Sequence, residues 1–246
     1  VVEGCDQISS IISCGSDAAR IVFPFLEKLH LVNLKSLCCI LDGSVGTQSF
    51  SKLTSIIVLE CHKFKKLISL GMVKNLENLK HLKIQDCLGI EEVIETGEIQ
   101  PPNGELLNLT GFLPKLEILE LVNLPLLESI CKNDSLDWRS LQKIEIIDCS
   151  KLNTWSRGMY NAQHLRNIEC QEPWWGQLQL PDEVKGQLKK RCYFIWKEVP
   201  SVYYTPREDR SHQPPDMLSM SDRFEQHRMR HEDSISQGSS SRRYSP

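Results

Sequence analysis

Apolar residues recur along the chain in one frame: Leu26-x-x-Leu29-x-Leu31, Leu53-x-x-Ile56-x-Val58, Leu79-x-x-Leu82-x-Ile84, Leu116-x-x-Leu119-x-Leu121, Leu141-x-x-Ile144-x-Ile146 and Leu165-x-x-Ile168-x-Cys170. The apolar-x-apolar ending of each unit predicts a short strand with one buried face. The units start 27, 26, 37, 25 and 24 positions apart, the period of a solenoid in which each coil gives one strand to a shared sheet. Three units continue alike, as Cys61-x-x-Phe64-x-x-Leu67, Cys87-x-x-Ile90-x-x-Val93 and Cys149-x-x-Leu152-x-x-Trp155. A partial copy, Val2-x-x-Cys5-x-x-Ile8-x-x-Ile11, opens the chain, so the expectation is a fragment that starts inside a repeat. Two units carry leucine in place of the cysteine and share Leu-Val-Asn-Leu, at Leu31–Leu34 and Leu121–Leu124, which suggests duplication of a unit.

This frame predicts a leucine-rich repeat solenoid of the α/β class, a horseshoe with a concave parallel sheet, spanning residues 1–172 with its first repeat truncated. The 37-residue step leaves an excess near Glu95–Thr110, where Pro101-Pro102-Asn103-Gly104 predicts a surface loop. Residues 173–199 read as a cap. Trp174 and Trp175 would cover the open end of the core, and Val184, Leu188 and Cys192 recur at helical spacing over Glu183–Cys192. A ligand platform is the alternative use of the tryptophans. From 200 to 246, Ser, Pro, Arg, Asp, Gln and His dominate with few spaced apolar residues, which predicts a disordered tail. Its His227-x-x-x-His231 pair reads as part of a solvated charge run.

Charge adds little direction: 29 Lys+Arg stand against 32 Asp+Glu, which calls for neither nucleic acid nor an anionic membrane. No apolar run reaches the roughly 18 residues of a membrane span. Cys5, Cys61, Cys87 and Cys149 recur at one repeat position, which points to buried, reduced packing thiols; there is no Cys-x-x-Cys pair to suggest zinc. No phosphate loop, nucleophile elbow or zinc-binding His-Glu-x-x-His is present, so no enzyme activity, metal or cofactor is expected. Two sequons, at Asn108 and Asn133, would matter only in a secreted chain.

The candidate site is the concave face. Side chains alternate along a strand, so the residues between the core leucines face the hollow. One column reads His30, Ile57, Lys83, Glu120, Glu145, Glu169, with carboxylates from successive strands about 5 Å apart. The next reads Glu3, Val32, Leu59, Gln85, Val122, Ile147, Gln171, and beyond it Glu60, Asp86, Asp148 and Glu172 would add negative potential. An acidic ridge beside exposed apolar side chains suits a protein partner. Equally, acidic residues could serve only to keep the sheet soluble, partly neutralised by Lys80, Lys83 and Lys143.

With these residues in view, the chain resembles the C-terminal leucine-rich repeats of plant coiled-coil type nucleotide-binding disease-resistance proteins. The resemblance covers about residues 1–200. It rests on the alternation of Leu-Val-Asn-Leu units with Cys-x-x-Leu units, on Cys87-x-x-Ile90-Glu91-Glu92-Val93-Ile94, on Phe112-Leu113-Pro114-Lys115-Leu116 and on Glu172-Pro173-Trp174-Trp175. It implies a cytoplasmic immune receptor domain whose partners are a pathogen effector or a guarded host protein, and the receptor's own nucleotide-binding domain. ADP or ATP belongs to that switch domain, none of whose residues is in this chain. A substrate adaptor of a ubiquitin ligase, or a free-standing scaffold, would use the same horseshoe.

Overall fold

The computed structural model describes residues 1–13, 20–95, 112–132, 138–153 and 162–195. All of them lie in one compact unit, Val1–Glu198. The predicted 95–110 loop beyond Glu95, both sequons, Trp155 and the 200–246 tail with His227 and His231 lie outside the described residues.

The apolar frame becomes a parallel solenoid of stacked coils. Eight strands form the main sheet: β1 Val2–Glu3, β3 Lys28–Val32, β5 Ser55–Leu59, β7 His81–Gln85, β9 Ile118–Val122, β11 Lys143–Ile147, β12 Asn167–Cys170 and β13 Cys192–Phe194. Adjacent strands pair so that Leu29, Ile56, Leu82, Leu119, Ile144 and Ile168 fall in one column. Leu31, Val58, Ile84, Leu121, Ile146 and Cys170 form the second. All twelve are buried, and each packs on the coil before and after it. β7 and β9 keep this register across the 37-residue step, so the excess residues disturb neither ladder.

The coils contribute more than the single predicted strand. Apart from the main sheet, β2 Ser10–Ser13 pairs with β4 Cys39–Asp42, and β6 Lys66–Ile68, β8 Glu92–Ile94 and β10 Ser129–Cys131 form a second parallel sheet. Leu67 and Val93, which end Cys-x-x-apolar-x-x-apolar frames, and Ile130, which ends the leucine version Leu124-x-x-Leu127-x-x-Ile130, are the buried centres of these strands.

The bend at the end of each main strand explains the repeat's polar signature. Gly4, Asn33, Glu60, Asp86, Asn123 and Asp148 all have left-handed backbone, φ 50–64°. Gly, Asn and Asp tolerate that region, while Glu60 occupies it at a steric cost. The turn points each N–H toward the next coil: Asn33 donates to the Leu59 carbonyl, Glu60 to Gln85, Asp86 to Val122 and Asn123 to Ile147, at 2.9–3.1 Å. Asp148 donates instead to the side-chain oxygen of Gln171, 3.0 Å, since the chain there leaves the strand for a helix. These carboxylates, expected as extra negative potential on the face, therefore sit at turns that end the strands.

The cysteines one residue later behave as packing thiols in three coils of four. Cys61, Cys87 and Cys149 are buried, and each donates to carbonyls of its own strand and of the preceding one: Leu59 and Leu31, Gln85 and Val58, Ile147 and Leu121. Cys5 is exposed, contrary to the expectation, because it follows β1, the edge strand of the sheet, and is covered on one side only among the described residues.

At the other end, α2 (Glu172–Gln177; α1 is the single turn Leu70–Val73) buries Trp174 and Trp175 against the last coil. Trp174 Nε1 donates to the Leu152 carbonyl at 2.7 Å, which makes the pair part of the core and not a ligand platform. The expected helix is α3, Asp182–Lys189, but it stops before Cys192. Cys192 opens β13 and pairs beside Ile168: the free edge of β12 offers ladder hydrogen bonds that outweigh continued helical spacing.

Two expectations test this packing. A Cβ at Gly89 would collide with the His62 carbonyl oxygen of the preceding coil, so Gly89→Ala should cost about 1–3 kcal/mol, read as a lower denaturant midpoint. An unchanged midpoint would show that the coils can separate freely there. Burial pushes the thiols of Cys87 and Cys149 up to about 12 from the ordinary 9.0. A raised folded pKa gives stability that is full below pH 9 and lost as the pH rises toward 12. Cys149→Ala should flatten that alkaline decline in a pH series of unfolding curves; equal slopes would refute the assignment.

Candidate functional site

The strand register builds the outward face as a grid. Because side chains alternate, burying two columns turns three others outward. The middle column is His30, Ile57, Lys83, Glu120, Glu145, Glu169, paired neighbour to neighbour as expected, and β13 extends it by Tyr193. Beside it run Val32, Leu59, Gln85, Val122 and Ile147, all half-buried. Gln171 has left this column to stand before α2, bonded to Asp148. The third column, of which the repeat pattern singled out only Lys143, is Lys28, Ser55, His81, Ile118, Lys143 and Asn167, with Ser55 buried.

That third column supplies what the carboxylates need. His81 Nε2 donates to Glu120 at 3.0 Å, and Lys83 lies 3.9 Å from the same carboxylate. The Lys143 ammonium is shared among Glu120 at 3.9 Å, Glu145 at 3.2 Å and Glu169 at 2.9 Å. Asn167 donates to the other oxygen of Glu169 at 2.8 Å. The expected repulsion between stacked carboxylates is thus relieved by interleaved cations, and the ridge is a network of ion pairs. Lys80, expected to help, pairs with Glu117 at 2.9 Å instead.

The network perturbs its members in different directions. The His81 bond holds Glu120 below its ordinary range against the opposing effect of burial, with Lys83 and Lys143 assisting. Burial raises Glu145, and the attraction of Lys143 does not fully offset it because Glu120 and Glu169 add repulsion. Burial alone would lower Lys143, but its bonds to Glu169 and Glu145 prevail and raise it. The depressed Glu120 adds stability above its ordinary value of 4.5 that is lost as the pH falls through its folded pKa; the raised Glu145 opposes this at neutral pH.

Among the described residues no group of three or more His, Cys, Asp or Glu side chains is placed to hold a metal ion. No described helix is long and apolar enough to cross a membrane. The groups that converge are charged and apolar side chains on an open sheet, an arrangement suited to contact with another macromolecule.

A parallel solenoid with this frame is a leucine-rich repeat domain. The chain belongs to the leucine-rich repeats of RPS2-like plant disease resistance proteins: that family's model matches residues 1–88 and 25–156. Similar relatives include disease resistance protein At4g27190 of Arabidopsis thaliana, 27% identical over 182 residues, which are 72% of this chain and 17% of that protein. Probable disease resistance protein At4g27220 of the same plant is 31% identical over 160 residues, 62% of this chain and 17% of the relative. The chain thus corresponds to a small part of the length of the curated relatives it matches. It is a defence-related leucine-rich repeat protein.

The ion-pair network yields a direct test. In Lys143→Met, the carboxyl of Glu145 should titrate at higher pH than in the parent, followed by its side-chain carbon resonance. An unmoved midpoint would mean that Lys143 does not neutralise the column.

Proposed function

We propose that the outward face of the main sheet is the protein-binding surface of a cytoplasmic plant immune receptor domain without catalytic activity. On this reading it senses a pathogen effector or a modified host protein, and it restrains a nucleotide-binding switch domain in a longer receptor. Family membership supports the defence role. The single observation that carries the surface is the half-buried apolar column Val32, Leu59, Val122 and Ile147, flanked by His30, Ile57, Lys83 and the Glu120–Glu145–Glu169 network. Apolar area left open beside ordered charge needs a partner to cover it, and the charge selects which one.

Sensing and restraint need only one face, because a ligand shifts a closed-to-open equilibrium by its differential affinity for the two states. Any ADP or ATP would bind the switch domain, not these repeats. The decisive experiment expresses the tagged chain in leaf tissue and compares co-purified proteins with those of a Leu59→Asp, Ile147→Asp variant. An effector, guarded host protein or nucleotide-binding domain should be captured by the parent and lost with the variant, while Glu183→Gln on α3 leaves it bound. Retention of the same partners by all three proteins would refute the outward face as their site.

A further inference from the structure

Charge is uneven along the face between β3 and β12, with Glu3 of β1 beyond, paired beside Val32. At the outward positions of β3, β5 and β7 stand Lys28 and Lys83 with no carboxylate; those of β9, β11 and β12 hold three carboxylates and one lysine. Glu120 is served by His81 and Lys83 as well as Lys143, whereas Glu145 and Glu169 have one ammonium between them among the described residues. Within ion-pair distance, one carboxylate is therefore left in excess at the Glu145–Glu169 end. Next in the same column, Tyr193 is 62% exposed, one of the few large apolar side chains so open in the described structure. Val122 and Ile147 lie beside these carboxylates, paired across β9 and β11.

Covering this patch with an apolar or acidic surface would desolvate an unmatched carboxylate, which is costly. A cation removes that cost, and an aromatic ring beside it adds attraction for a guanidinium. We propose that the half of the face formed by β9, β11, β12 and β13 docks a basic segment of a partner protein. An arginine of that segment lies over Glu145 and Glu169 against the ring of Tyr193, and a neighbouring apolar residue covers Val122 and Ile147. This deepens the reading of the outward face as a protein-binding surface and rests on it.

The test uses the full chain and two labelled nine-residue peptides, one alternating arginine with valine and the other glutamate with valine, followed by fluorescence anisotropy. The arginine peptide should bind, and the glutamate peptide should not. Glu145→Gln with Glu169→Gln should weaken binding about tenfold or more, whereas Asp182→Asn with Glu183→Gln on α3 should leave it unchanged. Tyr193→Ala, an exposed position, should also weaken it and provides the reading if the paired variant does not fold by circular dichroism. Equal losses in the α3 variant, unchanged binding in Tyr193→Ala, or a dimer of the chain whose formation abolishes peptide binding would overturn the proposal. Preference for the glutamate peptide would overturn the charge assignment while leaving the face a docking surface, as would partner loss in Leu59→Asp, Ile147→Asp without arginine-peptide binding.

Discussion

The rest of the structure depends on one constraint, the residue-for-residue register of a parallel ladder. Once Leu29 stands beside Ile56 and Leu31 beside Val58, every later coil must repeat the same two-residue alternation, because a slip of one position would turn its core outward. The constraint is strong enough to hold β7 against β9 across 37 residues between the starts of their repeats. The buried columns and the outward grid are two faces of that one register. A charge on the face and a leucine in the core are therefore located by the same hydrogen bonds.

The two kinds of repeat tie neighbouring coils together by different chemistry at the same bend. Where the unit reads Asp-Cys or Glu-Cys, the thiol donates to strand carbonyls of its own coil and the one before. Where it reads Asn-Leu, the leucine fills the core, and in one such unit the Asn123 amide donates to Asp86 of the neighbouring coil at 2.6 Å. In both, the left-handed residue turns its N–H toward the next coil. Polar groups beside the buried cysteine or leucine need partners, and the alternating sequence gives two ways of pairing them.

The face shows how a charged sheet remains stable without being inert. Lys143 and His81 lower the cost of stacking Glu120, Glu145 and Glu169, yet the balance is unequal along the column. Complete neutralisation would leave a surface with little charge preference; no neutralisation would oppose folding. The partial compensation keeps the strands together and leaves charge and half-buried apolar side chains side by side on the outward face.

Periodicity alone established the solenoid, both buried columns and the membership of the outward middle column from His30 to Glu169, because each arises from local alternation repeated at a fixed interval. It also marked Cys61, Cys87 and Cys149 as core residues. Three features lay beyond it. The second sheet, the strand at Cys192 and the exposure of Cys5 depend on which backbone groups and neighbours a coil meets in space, and spacing along one segment carries no record of that. Nor could the sequence show that Lys143 reaches three carboxylates on three strands, or that Glu60, Asp86 and Asp148 end strands in left-handed turns. Sequence determined which side of the sheet each residue occupies; tertiary structure decided its partners, since long side chains and strand ends are placed by the coils packed against them.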